Sequence, residues 1–64
     1  MTPNDIKMIE EMNELAQAED TPLLDRITAY TDIMELYLDY NDVKNVRQVL
    51  RIMQRLVWCE QELS

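Results

Sequence analysis

Apolar residues recur along this chain in three runs at spacings of three and four, the period of a helix with one side turned toward a core. The first run is Ile9, Met12, Leu15 and Ala16, with Met8 at its edge and Glu10, Glu11 and Glu14 turned away. The second is Leu23, Leu24, Ile27, Tyr30, Met34, Tyr37 and Leu38, and the third is Val43, Val46, Val49, Leu50, Met53, Leu56 and Val57. They predict helices over roughly residues 3–18, 22–40 and 43–62. Thr2-Pro3 and Thr21-Pro22 each read as a hydroxyl cap followed by proline at the first helical position, where no amide hydrogen is needed. Asp5, three residues after Thr2, suits the positive end of the first helix.

Nothing between Tyr40 and Val43 is a strong helix breaker, so one continuous helix from 22 to 62 is a rival reading. The apolar stripe shifts by about 100° across that junction when helical phase is carried through, which favours a break with Asn41 or Asp42 capping the third helix.

The middle helix has a second apolar stripe. Ala29, Ile33, Leu36 and Tyr40 fall about 130° round from the first, leaving Asp25, Thr28, Asp32, Glu35 and Asp39 on a narrow polar side. Two neighbours in so short a chain are not expected to cover both stripes. Ile33, Leu36 and Tyr40 are therefore the expected contact strip for another protein, with the amphipathic ring of Trp58 as a further anchor. Met8, Met12, Met34 and Met53 fall on or beside the stripes and read as core filling, with an adaptable groove for a partner helix as the alternative.

Composition narrows the architecture. The 64 residues suffice for one domain, and the absence of glycine removes the usual hairpin turns. The expected fold is all-α: a small three-helix bundle in which a short helix 1 packs on long antiparallel helices 2 and 3, and which self-associates. A single cysteine makes no internal bridge, and with no histidine the soft-metal ligand sets are missing. Stability is left to packing and partners.

The same gaps exclude most chemistry. Cys59 has no histidine partner, stands between Trp58 and Glu60, and reads as a small hydrophobe beside Ile52 and Leu63. Asp39-Tyr40-Asn41-Asp42-Val43-Lys44 opens like a calcium loop, but lysine stands where the turn glycine belongs and Leu50 where the bidentate glutamate belongs. No glycine-rich phosphate cradle exists. The expectation is a noncatalytic protein with no cofactor and no metal. The longest apolar run, Leu56 to Cys59, is far too short to span a membrane, and the first residues lack an export signal, so a cytoplasmic location is expected.

Charge adds a direction. The formal net charge is −7, with 13 acids and 6 bases. Residues 1–42 hold 11 acids and 2 bases, whereas residues 43–64 hold 2 acids and 4 bases. Asp25, Asp32, Glu35 and Asp39 make an acidic face on helix 2. Lys44, Arg47, Arg51 and Arg55 make a basic ridge on helix 3, ending beside Trp58, and are expected to pair with carboxylates within the chain or across a dimer. The functional expectation is a small acidic interaction module: an adaptor, co-chaperone or inhibitor, including the phage type that disables a host protein. Its partner is a protein with a basic surface, and it forms a homodimer or higher oligomer. The alternative is a nucleic-acid-related role, as a DNA mimic through the acidic faces or as a weak binder through the ridge.

Overall fold

The computed structural model describes the backbone of residues 1–63 and the side chains as far as Cys59. It contains three helices, α1 Pro3–Gln17, α2 Leu23–Asp39 and α3 Val43–Leu63, and among the described residues no strand. The all-α, three-helix architecture is as the periodicity requires.

Local chemistry sets the boundaries. Thr2 caps α1: its hydroxyl oxygen accepts from the Asp5 amide at 3.2 Å, and Pro3 takes the first helical position. The second Thr-Pro pair behaves differently. Pro22 is itself the N-cap of α2 and no side chain bonds the first amides. Thr21 is used by the preceding turn, its amide donating to the Ala18 carbonyl at 3.2 Å. That turn places the proline half outside the helix, so the expected hydroxyl cap does not form.

The break between α2 and α3 rests on two residues. Asn41 adopts φ 57°, the left-handed conformation that asparagine tolerates better than most side chains. The Asp42 amide then donates to the Tyr37 carbonyl at 2.9 Å and the Asn41 amide to the Leu38 carbonyl at 3.0 Å, the paired bonds of a Schellman motif. Asp42 at once caps α3, accepting from the Asn45 amide and, at 2.6 Å, from its side-chain nitrogen. In a chain without glycine, Asn41 supplies the reversal.

α2 is the central element. Among the described residues the backbone contacts between helices are those of α1 with α2 and of α2 with α3. α1 runs antiparallel to α2, since Arg26 near the start of α2 donates to the Ala16 carbonyl at 2.7 Å, and Tyr40 just past its end donates to the Asp5 carboxylate. α3 doubles back through the three-residue turn; the molecule is only 40 Å long, whereas a continuous helix over residues 22–62 would extend ~60 Å. The buried core is Ala16, Ala29, Tyr30, Ile33 and Val49, with Ile9, Met12, Met34, Tyr37, Met53 and Leu56 half-enclosed around it. Three of the four stripe methionines fill that margin; Met8 is exposed, as is Leu15, which the α1 pattern had placed inward.

Candidate interaction surface

Positions 26, 29, 33, 36 and 40 follow one another by three and four and so share one side of α2. Arg26 and Tyr40, at the two ends of this row, make the hydrogen bonds to α1. The second apolar stripe is thus the seat of α1. Ile33 retains only 3% of its exposure and belongs to the core; Leu36 is half-buried. Of the expected contact strip of Ile33, Leu36 and Tyr40, Ile33 is corrected: it is enclosed in the core of one copy of the chain, while Leu36 is half-buried and Tyr40 stays exposed. Fifteen residues of α1 reach the full length of α2 because the helices are nearly equal, at 15 and 17 residues.

Tyr40 keeps 42% of its surface, but its hydroxyl is committed to Asp5. The Asp5 carboxyl is held below the usual aspartate range, first by the Tyr40 hydroxyl and next by the Thr2 hydroxyl. The same bond with Asp5 raises the Tyr40 phenol above its ordinary value. Two polar fasteners, Arg26 to Ala16 and Tyr40 to Asp5, clamp α1 at both ends, and neither was foreseen from the periodicity.

What stays open lies on the other shoulder of α2. Leu24, Ile27, Thr31, Met34 and Leu38 form a second row at steps of three and four. Leu24 is 74% and Leu38 55% exposed, while the three between them are half-buried. The Thr31 hydroxyl is turned back to the Ile27 carbonyl at 2.9 Å, so the row's one polar group is satisfied by its own helix. On α3, Val43, Val46, Leu50, Met53 and Val57 form a matching row. Val43 is 52% exposed and Leu50 is exposed, the others half-buried.

The two rows lie on the same side of the α2–α3 hairpin. Its opposite side carries a cleft of about 300 Å³, walled by Ile9, Asn13 and Gln17 of α1 and by Asn45, Gln48 and Ile52 of α3, with Tyr30, Ile33 and Tyr37 as its floor. Helical phase puts the Leu24 row and the Val43 row away from that cleft. Together they make an apolar band that runs the length of the hairpin.

Charge borders the band. Glu35 and Asp39 lie along the outer edge of α2, with Asp32 and Asp25 further round; Arg47 and Arg51 lie along the outer edge of α3, followed by Lys44 and Arg55. All four basic side chains are exposed along one face of α3. Trp58, 63% exposed, shares their side of the helix and points away from α2.

Asp42, from the calcium-like segment, is committed to capping α3, and among the described residues no three or more Cys, Asp or Glu side chains gather as metal ligands. Cys59 is exposed, not enclosed with Ile52; the side chain of Leu63, its other expected neighbour, lies outside the described residues. No described helix is long and apolar enough to cross a membrane. No family model, curated protein or solved structure matches the chain.

Proposed function

We propose that this protein is a noncatalytic protein-interaction module that docks through the apolar band on the α2–α3 hairpin. Support comes from the exposure of Leu24, Leu38, Val43 and Leu50 along one continuous side of a molecule whose core encloses five of the described residues. Soluble chains seldom leave large apolar side chains clustered in this way unless another surface covers them. The accessible surface is 5028 Å², about 700 Å² above the ~4,300 Å² of a compact monomer of this mass. The acidic surface of α1 and α2 suits a basic partner, which long-range attraction brings in faster than diffusion alone. An adaptor, co-chaperone or inhibitor fits this description.

The test compares proteins recovered with the wild-type chain and with Leu24→Asp plus Leu50→Asp, both at exposed positions. Loss of a reproducibly recovered protein, self or other, supports the reading; unchanged recovery of every component sinks it.

The exposed ridge beside an exposed indole favours a second reading, binding of single-stranded nucleic acid, in which guanidiniums meet phosphates and Trp58 stacks on a base. Four bases on a chain of net charge −7 argue for weak binding at most. Salt-sensitive association with an oligonucleotide, abolished by Arg47→Glu with Arg51→Glu, would establish it.

A further inference from the structure

We infer that the occupant of the apolar band is a second copy of this chain, docked so that α2 of each copy lies along α3 of the other. The inference rests on the interaction reading above and adds the partner and its orientation.

Two symmetric arrangements can press the bands of two copies together. A two-fold axis running across the helices sets α2 on α2 and α3 on α3. Acidic edges then meet, as do basic edges, which is repulsive along the whole seam. An axis running along the helices sets α2 against α3 of the second copy. Every neighbouring pair is then antiparallel, and the product is a four-helix bundle with α1 on the outside of each half.

Register strengthens the choice. Counting outward from the Asn41 turn, Glu35 is level with Arg47, Asp32 with Arg51, and Asp39 with Lys44. Within one chain Glu35 and Arg47 stand on opposite outer edges of the band, and the other two pairs lie further round their helices. An axis parallel to the helices keeps each level unchanged and carries Arg47 of the second copy to the edge that holds Glu35. The segregation of charge between the two helices, acidic on α2 and basic on α3, thereby becomes self-complementary. Hydrophobic contact supplies attraction and the edges select the pairing.

Reversing charge on one helix at a time tests this. One variant carries Glu35→Lys and Asp39→Lys, the other Arg47→Glu and Arg51→Glu; all four positions are exposed, and circular dichroism checks that each variant stays helical. Sedimentation is run on each variant, on their mixture and on the wild type up to about 100 µM. The expected result is a wild-type dimer, each variant alone weakened by about tenfold or more, and a mixture restored to within about threefold of wild type, since the two variants complement at both edges. A wild type that stays monomeric overturns the inference. So does a dimer that both variants form as well as wild type, because α2 does not then meet α3. The broader reading fails separately: if the wild type is monomeric but Leu24→Asp with Leu50→Asp loses an identified heterologous protein, the band is a docking surface whose occupant is not self.

Discussion

Arg26 is the one basic residue on α2, and its position explains more than its charge. Its Nε donates to the Ala16 carbonyl at the end of α1, where helix carbonyls lack partners and the helix dipole is negative. Arg26→Ala is expected to destabilise the fold by about 1–2 kcal/mol, measured by urea denaturation. Tyr40 fastens the other end through Asp5, and this bond has a pH signature. The lowered Asp5 pKa gives stability that is present above the unfolded value near ~3.9 and is lost as pH falls through the folded one. The raised Tyr40 pKa gives stability that is present below the unfolded value near ~10 and is lost as pH rises through the folded one. Tyr40→Phe should therefore melt earlier than wild type between those limits, and the two melting curves should converge in acid and in alkali. Neither bond was legible in the sequence, because each joins residues of different helices and depends on how α1 is laid against α2.

Capping at the level of the element shows how similar dipeptides diverge. Thr2-Pro3 and Thr21-Pro22 carry the same chemistry, yet only Thr2 bonds its helix. Thr2→Ala is expected to cost about 0.5–1 kcal/mol, whereas Thr21→Ala should change stability by no more than about 0.5 kcal/mol; paired chemical denaturation checks the contrast. The α2–α3 boundary was legible as a change of apolar phase before any breaker was evident, and the left-handed Asn41 is the residue that carries it out. A β-branched residue is strongly disfavoured at φ 57°, so Asn41→Val should destabilise by about 1–2 kcal/mol relative to wild type. The helix periods themselves were readable because apolar spacing is a local property of the chain.

For the whole molecule, the decisive quantity is how much of α2 its neighbours cover. Among the described residues α1 and α3 each pack on α2, so Ile33 and Tyr30 are enclosed while the outer shoulder with Leu24 and Leu38 stays open. The result is an open molecule, with a radius of gyration of 12.1 Å against about 10.7 Å for a compact chain of this length. If a second copy completes the core, unfolding is coupled to dissociation, and the midpoint temperature should rise with protein concentration. Calorimetry over a hundredfold concentration range checks this, and added salt should lower the midpoint by weakening the charged edges.

The sequence by itself determined three helices, their approximate ends, the segregation of acidic from basic residues and a surplus of apolar surface on the middle helix. Each of these follows from spacing along one chain, which the helical period converts directly into faces. Only the tertiary structure decided which parts of the two stripes on α2 are covered: Ile33 of one and Tyr30 of the other lie in the core, while Leu24 and Leu38 stay open. Both were apolar, and the choice lay in where α1 docks, through Arg26 and Tyr40, and in which way α3 turns back. Those depend on contacts between residues distant in sequence, so the surplus was visible from the start while its place, the Leu24 and Val43 rows, was not.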